Sequence, residues 1–246
     1  MPEVTGDRLL GGRVRLLQPA GGHRAGTDAV LLAASGAAAP GDVVMDVGAA
    51  TGAVGLMAAA REGNAQYVFV ERDPQLAELC RRNCQENGVR GQVATADVLD
   101  KRSRLAAGLR PESADLVLTN PPFLEEGQAR LSPDPGRAAA HALPAGGLEA
   151  WLQACAGLLK PKGRLVLIHR AERLADGLGL LGRGMGGIAL RFVHPAADRP
   201  AIRVLVSAVK GSRGPLRVLP PVVLNGPDGR FTPEAEALHR GEAFLS

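Results

Sequence analysis

Val43-Val44-Met45-Asp46-Val47-Gly48-Ala49-Ala50-Thr51-Gly52 runs from an apolar strand, through an acidic residue near its end, into a glycine-rich turn. A helical stretch, Val54 to Arg61, follows directly. In open α/β sheets the first strand-to-helix turn is where a nucleotide-like ligand lies, because small residues admit it and the helix N-terminus offers free amides. Gly48, Ala50 and Gly52 are therefore candidate cofactor contacts. The pattern departs from the dinucleotide fingerprint in glycine spacing and in Asp46. An anionic Asp46 repels a pyrophosphate but suits a cofactor that carries an ammonium and a sulfonium.

Outward from this stretch, short apolar runs alternate with helical ones. Val43 to Val47, Tyr67 to Val70, Gln92 to Thr95, Leu116 to Thr119 and Arg164 to His169 have strand length. Val54 to Arg61, Gln75 to Asn87 and Gly147 to Leu159 have helical spacing, and Asn87-Gly88 supplies a stop. Ile188 to Val193 and Ala201 to Val209 flank prolines and read as a closing antiparallel hairpin. The expected fold is a Rossmann-like, doubly wound α/β domain with a mostly parallel sheet. Its core is expected over residues 41–210. Residues 1–40 carry a small hairpin turning at Gly11-Gly12 and a helix beside the cofactor. Residues 211–246, punctuated by Gly and Pro, form an extension packed on the core.

Two more carboxylates follow successive strands. Glu71 is placed to accept from both hydroxyls of a ribose, and Asp97 to accept from an adenine amine. Any one of them is equally well read as a strand end or helix cap. Their register after three consecutive strands favours a cofactor clamp.

The fourth run ends in Asn120-Pro121-Pro122-Phe123. Two prolines stop the strand and stiffen the loop, so the Asn120 oxygen and the Pro121 carbonyl can both face the cofactor cleft. A nitrogen conjugated to a ring or carbonyl is a poor nucleophile, and two fixed acceptors on its N–H bonds turn its lone pair toward a sulfonium methyl. Pro122 and Phe123 would contact the planar substrate, with Phe123 stacking on it. His141 follows this loop and is a candidate substrate contact, with a structural role as the alternative. Trp151, at helical spacing with Cys155, is expected in the core.

With 246 residues, 46% hydrophobic and 22% charged, the chain has the composition of one folded domain and not of a disordered or fibrous one. No apolar run reaches membrane-helix length, and residues 1–7 lack the pattern of a signal peptide, so a cytoplasmic protein without membrane partners is expected. Cys80, Cys84 and Cys155 suit a reducing compartment, and no His or Cys set completes a metal site beside them. The net charge of +4 is compatible with a polyanion, and Arg199, Arg203, Lys210, Arg213 and Arg217 lend it mild support.

Asp46-Val47-Gly48-Ala49-Ala50-Thr51-Gly52, Glu71, Asp97 and Asn120-Pro121-Pro122-Phe123 together resemble the class I amino-methyltransferases. His23-Arg24-Ala25-Gly26-Thr27-Asp28-Ala29-Val30-Leu31-Leu32-Ala33 narrows the resemblance to the tRNA1(Val) adenine-37 N6-methyltransferase family. The likeness extends to the Leu9-to-Leu17 hairpin, to Ser132-Pro133-Asp134-Pro135-Gly136-Arg137 and to the tail at Lys210-Gly211-Ser212-Arg213 and Leu219-Pro220-Pro221. It implies S-adenosylmethionine as cofactor and RNA, specifically tRNA, as partner. It also implies that Arg24, Thr27 and Asp28 lie by the methionine end of the cofactor and the substrate entrance. Ala50 stands where the family has a middle glycine, and Phe123 where tyrosine is common. The Asn-Pro-Pro-aromatic motif is shared with enzymes that methylate DNA, ribosomal RNA and release-factor glutamines. Glutamine methylation of a protein, and a non-catalytic RNA-binding relic of the fold, therefore stay as alternatives. Nothing in the sequence reports the oligomeric state.

Overall fold

All five apolar runs expected as strands enter one sheet of a computed structural model, which describes residues 3–21, 24–122, 124–125, 142–143, 147–181 and 184–245. An N-terminal hairpin comes first, β1 (Val4–Leu9) against β2 (Val14–Pro19), with Leu9 opposite Val14 across the Gly11-Gly12 turn. Helix α1 (Thr27–Ser35) is apolar on nearly every side and buried over Ala29 to Ala34.

The wound core then runs β3 (Val43–Val47), α2 (Ala53–Ala59), β4 (Gln66–Glu71), α3 (Pro74–Glu86), β5 (Gly91–Thr95), α4 (Lys101–Ala106) and β6 (Ala114–Thr119). A short parallel pair, β7 (Leu124–Glu125) and β8 (Ala142–Leu143), precedes α5 (Gly147–Leu158), β9 (Leu159–Arg170) and α6 (Leu174–Leu181). The closing hairpin is β10 (Met185–Ala196) and β11 (Arg203–Lys210). Local chemistry sets these boundaries. Asp73 caps α3 by accepting from the Gln75 and Leu76 amides, with Pro74 in the first turn, and Gly88 beyond its end takes a φ of 65°.

The strand order is β5-β4-β3-β6-β9-β11-β10. From β5 to β9 every pairing is parallel, and β11 is antiparallel to both of its neighbours. Both sheet faces are covered: Leu118, Val166 and Ile168 belong to the cluster with α1 and α2, while Val47, Val117 and Leu167 pack with Trp151 and Leu152 of α5. This is the expected doubly wound, mostly parallel fold with its antiparallel hairpin.

The sequence reading assigns no element beyond Lys210. The structure places two strands and a helix there. Strands β12 (Arg217–Val218) and β13 (Val222–Asn225) lie parallel along the outer edge of β10, and α7 (Pro233–Arg240) packs on α1. The strands are too short and too interrupted by proline to show a period of two.

Candidate active site

The chain leaves β3 toward β4 and β5, then returns to lay β6 on the opposite side of β3. Ligands of open α/β sheets bind beyond the carboxyl ends of the strands at such a reversal. Here that point brings together the Gly48–Gly52 turn after β3 and Asn120 after β6, because Val47 and Thr119 are register partners.

Gly48, Ala50 and Gly52 adopt φ of 77°, 48° and 90°. A side chain at Gly48 would place its Cβ 3.1 Å from the Trp151 ring, and one at Gly52 would stand 2.7 Å from Cys80 Sγ. The left-handed backbone and the close neighbours both call for glycine there. Ala50 adopts the same left-handed region with a Cβ attached.

The turn is tied to β4. The amides of Gly48 and Ala49 donate to the Val70 carbonyl, and that of Ala50 donates to Glu71 Oε2 at 2.8 Å. Glu71 Oε1 accepts from the Asp73 amide at 2.8 Å, so one carboxylate joins the turns after β3 and β4. Beyond it opens a cavity of about 520 Å³ lined by Glu71, Asp73, Pro74, Leu76, Asp97 and Ser103, among other residues. Asp97 accepts from the Leu99 amide through Oδ1, and its own amide donates to Ser103.

Asp46 is 3% exposed, and its Oδ2 accepts from the Gly55 amide at the start of α2. Burial pushes its carboxyl up to about 7, the Gly55 hydrogen bond opposes this, and the nearby Glu71 charge adds to it. The sequence treats Asp46 as a plain anion; in the fold burial disfavours its charged form.

Asn120 Oδ1 is buried and has no hydrogen-bond partner among the described residues. A buried carbonyl oxygen left without a donor costs about 1–3 kcal/mol, and such an atom at a cleft points to a ligand that supplies the donor. Pro121 is buried and Pro122 half-buried beside it. Phe123, His141, His23 and residues 132–137 lie outside the described residues.

Three residues placed by resemblance make contacts within the chain. Arg24 pairs with Asp7 and donates to Thr5 Oγ1 and the Pro19 carbonyl, within the N-terminal hairpin. Asp28 accepts from Arg203 Nε at 2.8 Å, and Thr27 Oγ1 lies 3.3 Å from His239 Nε2 of α7. Trp151, expected as core, does more than fill space: its Nε1 donates to Thr119 Oγ1 at 2.9 Å, and that hydroxyl donates to the Val47 carbonyl at 2.8 Å. Only the lone tryptophan downstream of the Asn120 motif hinted at it.

Among the described residues no group of three or more His, Cys, Asp or Glu side chains could hold a metal ion, and no helix is long and apolar enough to cross a membrane.

The strand order, the reversal and the acidic strand ends define a class I methyltransferase, a class whose methyl donor is S-adenosylmethionine. The site fits that donor: left-handed glycines open the β3 turn to close approach, and Glu71 and Asp97 border a cavity of nucleoside size. Residues 25–176 match the family described as methyltransferase small domain, and the chain belongs to that family.

Among solved structures, one from Agrobacterium tumefaciens, named a predicted O-methyltransferase, superposes with a TM-score of 0.75 at 30% identity, covering 89% of this chain and 98% of that one. M. jannaschii TYW2 in complex with AdoMet shares the fold at a TM-score of 0.55 and 14% identity, covering 85% of this chain and 86% of that one. A tRNA1(Val) (adenine(37)-N6)-methyltransferase of Porphyromonas gingivalis is 35% identical over 159 residues, 62% of this chain and 61% of that protein. The chain thus matches about three fifths of the length of that curated relative, 61%.

Proposed function

We propose that this protein transfers the methyl group of S-adenosylmethionine to the exocyclic N6 amine of an adenine in tRNA. The carrying observation is Asn120 Oδ1 at the end of β6, buried and without a hydrogen-bond partner among the described residues. An amine has two N–H bonds to offer, and Asn120 Oδ1 with the Pro121 carbonyl supplies two acceptors on a loop stiffened by two prolines. A hydroxyl substrate offers one donor and would leave one acceptor unused, which favours nitrogen over oxygen. The relatives named as tRNA adenine methyltransferases support the choice of tRNA.

When bound, S-adenosylmethionine supplies an electrophilic methyl group on a cationic sulfur. This chain's residues do the rest. Glu71 and Asp97 would hold the ribose and adenine, and Asp46, ionised by the approaching cation, would balance its charge. Asn120 and Pro121 hold the amine's hydrogens so that its lone pair lies in line with the methyl, and orientation of this kind can lower a barrier by several kcal/mol. Phe123 would stack on the adenine, which must be unpaired to enter. A tRNA substrate places the protein in the cytoplasm.

The test offers tritium-labelled S-adenosylmethionine to total tRNA and to total protein from a strain lacking the gene. Label in N6-methyladenosine of tRNA is the expected result. Label in protein, or in no fraction, would overturn the reading.

A further inference from the structure

Three residues from three elements meet behind the candidate site. Thr119, the last residue of β6, is wholly buried and uses its hydroxyl twice: it donates to the Val47 carbonyl at the end of β3 and accepts from Trp151 Nε1 of α5. The Trp151 ring also lies against the Gly48 backbone, where an added Cβ would come within 3.1 Å of it. Gly48 begins the turn that faces the methyl donor, and Asn120 follows Thr119 directly. The two reactants are therefore held by neighbouring strand ends, and one hydroxyl and one indole span the gap between those ends.

We propose that Trp151, acting through Thr119, is a positioning residue that fixes the separation between the Gly48 turn and Asn120. The inference rests on the proposed methyl transfer at that site. Ladder hydrogen bonds alone hold the end of a parallel strand pair weakly, because the last residues of a strand fray most easily. A buried side-chain hydroxyl bonded on both sides stops that fraying at the position where methyl and amine must align. Misplacement by about an ångström is enough to slow a transfer a hundredfold.

Trp151 is the sole tryptophan of the chain, so its emission reports this contact without a label. The experiment uses the full chain as wild type, Thr119→Val, Thr119→Ser and Trp151→Phe, with the folded fraction of each measured by circular dichroism. Per folded molecule, Thr119→Val and Trp151→Phe should lose about tenfold or more in kcat while cofactor affinity by calorimetry stays within about threefold, and Thr119→Ser should recover most of the rate. Titrating S-adenosylhomocysteine should shift Trp151 emission in the wild type and in Thr119→Ser, and shift it less in Thr119→Val. Unchanged kcat in both disabling variants, or equal losses in Thr119→Ser and Thr119→Val, would overturn the proposal. So would an emission that ignores a ligand seen to bind by calorimetry. If the wild type methylates no tRNA, the proposed function falls, and the emission series alone then decides whether the bridge senses the cofactor turn.

Discussion

The backbone amide of Ala50 donates to Glu71 Oε2 at 2.8 Å, so the end of β4 holds the turn that leaves β3. The same carboxylate accepts from the Asp73 amide through its other oxygen. One side chain that is 8% exposed thus joins the turn after β3 to the turn after β4, and the second of these borders the cavity.

Glu71→Ala leaves both amides without their acceptor. We expect a loss of about 1–3 kcal/mol in folding stability together with weaker cofactor binding. Chemical denaturation and calorimetry would read the two effects. A variant that loses cofactor affinity at full stability would show that Glu71 acts on the ligand alone.

Asp46 gives the fold a pH dependence of defined sign. Its carboxyl is raised from 3.8 to about 7 by burial, so between these values the folded chain holds a proton that the unfolded chain has released. Its contribution to stability is therefore present at low pH, declines as pH rises from about 4 to about 7, and is level above that. The shift sets a ceiling of about 4 kcal/mol on the decline. Asp46→Asn should flatten this part of the stability profile, measured by denaturation across pH. Parallel wild-type and variant profiles would refute the assignment.

Asn120→Ala should separate turnover from folding. Its oxygen is buried and has no partner among the described residues, so removing it relieves a desolvation cost and stability should hold or rise. Turnover should fall about a hundredfold, the scale for deleting one preorganised polar contact at a reacting centre. Cofactor affinity should stay near wild type. Thermal unfolding, single-turnover rates and calorimetry together check this, and a large drop in unfolding temperature would count against it.

Sheet register sorts the basic residues that favoured a polyanion. Arg203 lies opposite Arg170, so the exposed turn that carries Arg199 stands at the same end as Asn120. Lys210 lies opposite Met185 at the other end, and the exposed Arg213 follows it. We expect Arg199→Glu to weaken tRNA binding and lower its salt dependence, and Arg213→Glu to leave both unchanged. Filter binding at several salt concentrations reads both, and equal effects would exclude a substrate path on the catalytic end.

Much of this fold was legible because its signals are local. Apolar runs of strand length and Asn87-Gly88 after α3 each act within a few residues. Ala50 stands where the resembling family has a glycine, and the structure shows the left-handed backbone there, at φ 48°. The tail was not legible: β12 and β13 gain their pairing from β10, far away in sequence. The contacts of Arg24 with Asp7, Thr5 and Pro19 likewise join segments that no local pattern links.

By itself the sequence determined the class of fold, the glycine-rich turn after β3 and the Asn120 motif, because these depend on short-range periodicity and on residue types at fixed offsets. Tertiary structure alone decided that the Asp46 carboxyl is held near neutrality, that Asn120 Oδ1 waits without a partner, and that Trp151 reaches Thr119. Those facts are burial and distance between segments far apart in the chain, and neither quantity exists until the sheet has closed around them.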